Sequence, residues 1–491
     1  MSIIVSACRV KKRIFVPVLV FEHFGQAAKM RSLLQTTTAV LGWTVAANAY
    51  DLTINDKKSV ESAAGKAAKG LTSWYTGMNP GDTAGNLPDP YYWWEAGAMF
   101  GTLVDYWWLT GDDKYNAITK QALIHQAGTD GDYMPDNQTM TEGNDDQGFW
   151  AMAAMSAAEH QFPDPPDDVP GWLAQAQAVF NEYVSRWDDE YCGGGMRWQI
   201  FKWNTGYDYK NAISNGCFFN IASRLALYTG NDTYADWAEK VWDWHTKAGV
   251  VTSKFEVLDG VHIGKSKSAV CDDIDKTQWS YNTGIFLHGA ATLYNLTSAD
   301  KWKKRTDGLL DDVFNKFVKN EIIYEQFCEP HKQCSQDQQS FKGYLARWLA
   351  ATTQLYPATN DKIIKLLKTS AQAAAKVCTG SGEGYKGPAG TACGFSWTTD
   401  TFDGSVGVGP QMNALSILMY TLVESAKGPV TSKTGGTSKG DPGGGNTDAN
   451  DDDGTPKRKE ITGADKAGAG ILTFLFVAGV IGGVSFLVLD F

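Results

Sequence analysis

Two kinds of helical segment alternate along the chain, and this alternation limits the possible folds more than any other feature. Six segments are apolar on nearly all sides and rich in Ala, Gly and aromatic residues, as buried helices are. They cover residues 91–109, 147–162, 211–228, 281–295, 338–356 and 408–425. Six amphipathic segments alternate with them: residues 54–75, 113–127, 171–187, 233–247, 299–319 and 361–377. The hairpins recur every 55–70 residues or so, roughly twice the period of common short repeats.

Six hairpins, each with one buried and one amphipathic helix, predict an all-α (α/α)6 barrel with inner and outer rings. An open solenoid of similar hairpins is the alternative. Short junctions such as YWWLTGDDKY (106–115), LALYTGNDTY (225–234) and ATLYNLTSADKW (291–302) lead from inner to outer helices. The connections that enter the inner helices are longer. In a closed ring these long loops share one face, where a functional cleft is expected.

Composition excludes some classes of function. The chain has 491 residues and a formal net charge of −11. An acidic surface is a poor match to nucleic acid or to anionic membranes, so no nucleic-acid partner is expected. The 18 Trp, 20 Tyr and 22 Phe residues suit both the stacking of sugars and the filling of a large helical core.

The two ends of the chain have the composition of targeting signals. Residues 1–49 are interpreted as a signal-peptide region, with Met30 as the working start and cleavage before Tyr50. Residues 431–466 have the composition of a flexible Gly/Ser/Thr/Asp-rich linker. The apolar tail 467–491 indicates a GPI-attachment signal, with Gly454 and Gly463 as candidate attachment residues. A transmembrane helix is the alternative. The expected location is the outer leaflet of the plasma membrane and the cell wall, and the domain between the signals is residues 50–430.

Secretion predicts disulfide bonds and glycans. Removal of the signal region leaves seven cysteines. Two pairs bracket short loops and are expected to form local bonds: Cys328 with Cys334, and Cys378 with Cys393. One thiol among Cys192, Cys217 and Cys271 is then left free, unless it pairs with another chain. Three sequons predict N-glycosylation: Asn137, Asn231 and Asn295.

The stretch TEGNDDQGFW (141–150) places Asp145 beside Asp146 where a long loop enters an inner helix. Helix capping explains one aspartate but does not require two. A calcium site with Glu142 and Asn144 lacks EF-hand spacing, and neither metal nor cofactor is expected. Glycoside hydrolysis does need two carboxyl groups. Mutual repulsion would raise the pKa of one, while the helix dipole keeps the other ionised. Because adjacent residues favour the short separation, a retaining glycosidase is the preferred hypothesis.

Further polar and aromatic residues of the same loops are candidate substrate-binding groups. They are Asn144, Gln147, Asn215, Trp279, Tyr281, Asn282, Trp94, Asp275 and Asp403. Several have a plainer alternative. Asn144, Gln147 and Asn215 suit capping, Trp279 suits core packing, and the two aspartates suit surface solvation. Trp93 and Trp94 are adjacent, so one is expected to face the cleft and the other the core.

The Gly-Asn-Asp-Asp-Gln loop before an Ala-rich helix, together with WSYNTG (279–284), resembles glycoside hydrolase family 76. YYWWEAGAMFGTLVDYWWLTGD (91–112) and the two terminal signals resemble its fungal cell-wall members of the Dfg/Dcw type. The resemblance covers roughly residues 50–430. The family's usual Trp-Thr-Tyr-Asn reads Trp-Ser-Tyr-Asn here, a small change that is expected to preserve its role.

The resemblance implies an (α/α)6 fold and action on α-1,6-linked mannose with retention. By the same resemblance, Asp145 is the nucleophile and Asp146 the general acid/base. It also implies that the GPI-anchor glycan of cell-wall proteins is the donor and wall glucan the acceptor of a transfer reaction. A wall protein that binds mannan or GPI glycan without catalysis is the alternative.

Overall fold

The computed structural model describes residues 50–264 and 270–445, and the single residue Thr473. This part of the chain contains twelve α-helices. The outer ones are α1 (Lys57–Thr72), α3 (Asn116–Gln126), α5 (Trp172–Ser185), α7 (Asp232–Ala248), α9 (Asp300–Lys316) and α11 (Asn360–Lys376). The inner ones are α2 (Trp93–Thr110), α4 (Asn144–Glu159), α6 (Ala212–Thr229), α8 (Ser280–Thr297), α10 (Phe341–Leu355) and α12 (Val408–Met419).

The inner helices form a closed ring. Each one contacts the next in chain order, and α12 returns to contact α2. The outer helices pack on this ring, with α1 against α12 and α7 against α6. Almost every residue of the inner helices is buried. Most outer helices bury one face only, whereas α5 is buried on nearly all sides. The predicted (α/α)6 barrel is therefore confirmed, and the open solenoid is excluded by the contact between α12 and α2.

The predicted junctions form tight turns. Gly111 and Gly230 end α2 and α6 with φ angles of 75° and 72°, a left-handed conformation that glycine adopts at little cost. In the third junction Ser298 takes the same role after α8, with φ 54°. In the second junction, after Gly230, the side chain of Asn231 accepts a hydrogen bond from the Thr233 backbone N–H and caps α7.

Short strands shape the loops that enter the inner helices. β1 (Tyr209–Asn211), β2 (Gly260–His262) and β3 (Ile274–Asp275) form an antiparallel sheet in that order. β4 (Val318–Lys319) and β5 (Ile322–Ile323) form a hairpin. β1 runs directly into α6, so the sheet fixes the path of the chain at the start of that helix.

Buried ion pairs join the inner helices at their C-terminal ends. Arg224 of α6 contacts Glu159 of α4 at 2.6 Å, and Arg347 of α10 contacts Asp105 of α2 at 2.9 Å. Each arginine also donates to a hydroxyl group, Ser156 and Tyr420 respectively. Because both charges are paired and hydrogen bonded, this end of the barrel carries little unbalanced charge.

The segment after α12 packs against the barrel beyond the expected domain boundary at residue 430. The backbone N–H groups of Val430 and Ser432 donate to the C-terminal ends of α4 and α6. Ser438 accepts a hydrogen bond from the first turn of α5, and Asn181 of α5 donates to the Gly444 carbonyl. Residues 431–445 of the predicted linker are thus held against α5, because their polar groups are paired with this helix.

The predicted signal region 1–49, the rest of the linker and the tail 467–491 lie outside the described residues, apart from Thr473. None of the helices within residues 50–264 and 270–445 is long and apolar enough to span a membrane.

The part of the chain that the structure describes contains three disulfide bonds. Two join the expected local pairs, Cys328–Cys334 and Cys378–Cys393. The third, Cys192–Cys271, joins two of the three cysteines whose pairing the sequence left open, and Cys217 is a buried free thiol. The three sequon asparagines are exposed: Asn137, Asn231 and Asn295.

Candidate active site

A cleft of about 390 Å³ opens on the face where the inner helices begin. Its wall comes from the starts of α2, α4, α8 and α10 and from two loops. The lining residues are Tyr92, Trp94, Thr141, Asp145, Asp146, Phe149, Trp198, Gln199, Tyr281, Asp337 and Phe341. The starts of five inner helices, or the loops that enter them, therefore meet at one site, as their connectivity predicts, whereas α12 and the loop before it contribute no lining residue.

Asp145 and Asp146 lie in the first turn of α4, which begins at Asn144, three residues before the expected start. Asp146 Oδ2 accepts a 2.6 Å hydrogen bond from the Gly143 backbone N–H, so this aspartate does cap its own helix. Asp145 Oδ1 accepts from the Asp146 backbone N–H at 3.2 Å. Asp145 Oδ2 accepts from Asn211 Nδ2 at 3.4 Å. Each carboxylate is thus held by donors while it faces the cleft.

Burial is the main electrostatic influence on the pair. Burial, and next the neighbouring Asp146 carboxylate, raise the pKa of Asp145 well above its usual range. Burial also raises the pKa of Asp146 to about 7, against the lowering effect of the Gly143 hydrogen bond. Repulsion between the two carboxylates therefore contributes to the raised pKa of Asp145, as expected, but its effect is smaller than that of desolvation. Because the two carboxyl groups are adjacent and buried together, the charge on one disfavours the charge on the other.

The loop at residues 197–199 fixes the start of α4. The Asn144 backbone N–H donates to the Trp198 carbonyl at 2.8 Å, and Gly143 forms an isolated antiparallel bridge with Gln199. This pairing brings Trp198 and Gln199 into the cleft wall. A Cβ on Gly143 would lie 2.5 Å from Asp145 Oδ1. A larger residue here would therefore displace the Asp145 carboxylate from its position over the helix start.

A buried arginine supports the turn from behind. Arg186 Nη1 donates to Asn144 Oδ1 at 3.0 Å and to Gln147 Oε1 at 2.6 Å, and Arg186 Nη2 pairs with Glu182. Gln147 Nε2 donates in turn to Glu182 Oε2 at 2.7 Å. Asn144 and Gln147 are thus buried on either side of the aspartate pair. They position the pair from behind and do not line the cleft.

Two other predicted amides are also buried behind the wall. Asn215 hydrogen bonds with the backbone of Met196 through both side-chain atoms, Oδ1 at 2.7 Å and Nδ2 at 2.9 Å. Asn282 Nδ2 donates to Asp259 Oδ1 at 3.3 Å. Both amides are thus used within the protein, and for Asn215 these contacts match the capping alternative.

The predicted aromatic residues divide between wall and support. Trp94 lines the cleft, whereas Trp93 packs on Trp150 in the core. Tyr281 lines the cleft and stacks on Phe341, with ring centroids 3.8 Å apart and planes 5° apart. Trp279 is half-buried and packs edge-on against Phe341, so it supports the stacked pair from the side.

The two outlying aspartates have local structural roles. Asp275 is exposed on β3, and its side chain accepts from the Thr277 backbone N–H. The carboxylate of Asp403 accepts backbone hydrogen bonds from Phe395, Ser396 and Ser405, which shape its own loop. Neither residue lines the cleft.

Residues 59–433 match the sequence profile of Glycosyl hydrolase family 76. The chain belongs to glycoside hydrolase family 76. It is 47% identical over 429 residues to the mannan endo-1,6-alpha-mannosidase DCW1 of Saccharomyces cerevisiae, covering 87% of this chain and 92% of that protein. The predicted family membership and the prediction of a glycoside hydrolase are therefore confirmed.

Solved structures show the same fold. The crystal structure of Dfg5 from Chaetomium thermophilum in complex with glucosamine superposes with a TM-score of 0.76 at 44% identity, covering 80% of this chain and 97% of that one. An inactive variant of the α-1,6-mannanase GH76A from Salegentibacter, in complex with α-1,6-mannotetrose, superposes with a TM-score of 0.58 at 17% identity. It covers 74% of this chain and 99% of that one, and at this identity it supports the fold alone.

Seven residues of the family 76 cleft were not among the predicted site residues: Tyr92, Thr141, Phe149, Trp198, Gln199, Asp337 and Phe341. Asp337 could have been predicted from the sequence, because it lies in a polar loop that enters an inner helix, as the aspartate pair does. Trp198 and Gln199 could not have been predicted in this way, since only their pairing with Gly143 and Asn144 brings them to the site. In the described part of the chain no group of three or more His, Cys, Asp or Glu residues is arranged to hold a metal ion.

Proposed function

We propose that this protein cleaves α-1,6-linked mannose with retention of configuration and transfers the cleaved glycan to an acceptor. The observation that carries the proposal is the adjacent buried pair Asp145 and Asp146 in the wall of an open cleft. Relatives that match almost their full length are named mannan endo-1,6-alpha-mannosidases, which supports α-1,6-mannan as the substrate class.

In the proposed reaction the Asp145 carboxylate attacks the anomeric carbon of the mannose. Asp146 gives its proton to the leaving oxygen as the glycosidic bond breaks, and a covalent glycosyl-enzyme forms. Asp146, now ionised, takes a proton from the incoming water or hydroxyl group, which attacks the same carbon and releases Asp145. The pKa of Asp146, raised to about 7 by burial, suits both halves of this cycle near neutral pH.

The terminal signals support the finer part of the proposal. A secreted, GPI-anchored enzyme at the outer leaflet would meet the GPI-anchor glycans of cell-wall proteins as donors and wall glucan as acceptor. The Chaetomium relative in complex with glucosamine supports an amino sugar as one unit of the glycan in this cleft. Transfer instead of hydrolysis requires that an acceptor hydroxyl reaches the glycosyl-enzyme before water does.

The test uses the purified protein with an α-1,6-mannan oligosaccharide and with a GPI-type glycan, each with and without a glucan acceptor. Mass spectrometry identifies the products. Conjugates of glycan and glucan that disappear in Asp145→Asn support the transferase and its nucleophile together. Shortened mannan without conjugates limits the function to hydrolysis. Binding of both glycans without any product favours the alternative, a mannan-binding wall protein.

A further inference from the structure

A stacked aromatic pair in the cleft wall joins the starts of two inner helices. Tyr281 lies in the first turn of α8 and Phe341 opens α10, and their ring centroids are 3.8 Å apart. The residue beside each ring in the sequence is polar and fully buried: Ser280 and Lys342. Buried polar groups need hydrogen-bond partners. The partners of these two residues therefore help to fix the two helix starts.

Glu325 is the partner of Ser280. The Ser280 hydroxyl donates to Glu325 Oε2 at 2.5 Å, and the Ser280 backbone N–H donates to Glu325 Oε1 at 3.2 Å. Glu325 thus accepts from the hydroxyl and from one of the N–H groups that a helix start leaves without a partner in the helix. Because serine and threonine carry the same hydroxyl group, Trp-Ser-Tyr-Asn in this chain keeps the donor that the usual Trp-Thr-Tyr-Asn would supply.

Glu329 is the partner of Lys342. Lys342 Nζ donates to Glu329 Oε2 at 3.0 Å and to the Phe395 carbonyl at 2.6 Å. It also lies 4.1 Å and 4.2 Å from the ring centroids of Phe395 and Trp397. The side chains of the ion pair are 0% and 2% exposed, so each charge depends on the other for its stabilisation.

The two acids belong to one short segment. The Glu325 backbone N–H donates to Glu329 Oε2 at 2.8 Å, and the same oxygen accepts from Lys342. The disulfide Cys328–Cys334 closes the loop that carries Glu329. A continuous set of bonds therefore runs from the start of α8 through Glu325 and Glu329 to the start of α10, and it connects the two helix starts that carry the aromatic pair.

We propose that Glu325 and Lys342 are positioning residues, which hold the Tyr281 and Phe341 rings in place so that the cleft presents a fixed aromatic surface to the glycan. Neither Glu325 nor Lys342 lines the cleft, whereas both rings do. Each positioning residue therefore acts through the helix start that carries a ring, and Glu325 does so through Ser280. Aromatic rings pack on sugar faces, so a displaced pair binds the glycan less tightly. The inference rests on the proposed function, because it takes a glycan of α-1,6-linked mannose to enter this cleft.

The experiment compares Ser280→Ala with a matched control, Thr283→Ala. Both residues are fully buried near the start of α8, and the hydroxyl of each donates to a buried acid, Glu325 for Ser280 and Asp312 for Thr283. Asp312 belongs to the outer helix α9, so the control removes a similar bond outside the connection to α10. The Kd of α-1,6-mannotetraose is measured by isothermal titration calorimetry in an Asp145→Asn background, so that the sugar is not consumed. Turnover is measured without the Asp145 change.

We expect Ser280→Ala to raise both Kd and KM about tenfold, because the aromatic surface is displaced. The kcat value should stay within about twofold, since the aspartate pair keeps its own contacts and the lost interaction is one of binding. Ser280→Thr keeps the hydroxyl and should keep the Kd of the parent protein. Thr283→Ala should lower the midpoint of thermal unfolding about as much as Ser280→Ala does, but it should leave Kd and KM unchanged.

An unchanged Kd in Ser280→Ala overturns the proposal, and so does an equal rise in Thr283→Ala, which would make the network structural only. If Ser280→Ala is not folded, Ser280→Cys replaces it, because a thiol is a weaker donor than a hydroxyl. Cleavage of α-1,6-mannotetraose with a Kd that does not depend on Ser280 rejects this inference alone. Binding that depends on Ser280, without cleavage or transfer by the wild-type protein, supports the inference and rejects the proposed catalytic function.

Discussion

Removal of the Arg186 charge is expected to destabilise the protein by about 3 kcal/mol. The Arg186 and Glu182 side chains are 8% and 2% exposed, and the arginine also holds Asn144 and Gln147. Breaking a buried pair from one side usually costs about 3–5 kcal/mol. Burial already raises the pKa of Glu182 to about 8 with the arginine in place. The Arg186 charge lowers this pKa, so in Arg186→Met the glutamate holds its proton more firmly at pH 7, which places the cost at the lower end of that range.

The assay is urea-induced unfolding at pH 7 followed by tryptophan fluorescence, together with the turnover of α-1,6-mannotetraose. We expect kcat to fall more than KM rises, because Asn144 and Gln147 flank the aspartate pair without lining the cleft. Lys365→Met is the matched control, since it also removes a cation from a pair with a glutamate, Glu321. The side chains of that pair are 68% and 60% exposed, so the loss should be about 0.5 kcal/mol or less.

The double variant Arg186→Met/Glu182→Gln separates the charge from the packing. If the cost arises from an unpaired buried acid, the neutral amide should recover most of the lost stability. A loss below about 1 kcal/mol in Arg186→Met, or a double variant no more stable than the single one, would refute this reasoning. The first result would show that the pair is not needed for folding. The second would show that the arginine acts mainly through the two amides.

Three further changes have defined outcomes. Gly143→Ala places a Cβ where it meets Asp145 Oδ1, and a displacement of this kind should lower kcat on the order of 100-fold, measured with α-1,6-mannotetraose on protein of unchanged thermal stability. Asn211→Ala removes a donor to Asp145 and should shift the pKa of this proposed nucleophile upward in a kcat/KM–pH profile. An unchanged profile would contradict the role given to this contact. Burial raises the pKa values of Glu182 and Glu325 to about 8. The folded state therefore retains protons that the unfolded chain loses near pH 4–5. Because the folded state binds more protons, the midpoint of thermal unfolding should fall as pH rises from 6 to 9. Glu325→Gln should reduce that fall, whereas a midpoint that rises over this range would show that other groups dominate.

The barrel was predictable because the sequence pattern that indicates it is local and occurs six times. Each inner helix is apolar on all sides, and the short junctions contain the glycine or serine that the left-handed turn requires. The boundary at residue 430 was less predictable. A Gly/Ser/Thr-rich sequence indicates a flexible linker when only its composition is considered. Residues 431–445 are instead held in place largely by their backbone, since the Lys439 and Gly444 carbonyls accept hydrogen bonds from α5. Backbone contacts of this kind leave no mark on side-chain composition.

Within the site, adjacency and loop position were sufficient to indicate the aspartate pair. The amides around it were assigned to sugar binding because sequence does not show which way a side chain points. In the structure Asn144 and Gln147 face Arg186, a residue about forty positions later in the chain. A polar residue next to a cleft residue can therefore either line the cleft or hold the cleft residues in place from behind. Only the arrangement of α4 against α5 decides between the two.

The location of the pair also explains why one helix start can serve both structure and catalysis. The Gly143 N–H that Asp146 caps favours the charged carboxylate, whereas an acid catalyst must hold a proton. Burial acts in the opposite direction and is the larger effect, so the two together leave the pKa of Asp146 at about 7. An exposed cap would stay ionised, and a buried acid without the cap would hold its proton too tightly to release it. In the proposed reaction, the combination of cap and burial therefore gives Asp146 a pKa that suits an acid/base, and Asp145 is the second carboxylate that this reaction needs.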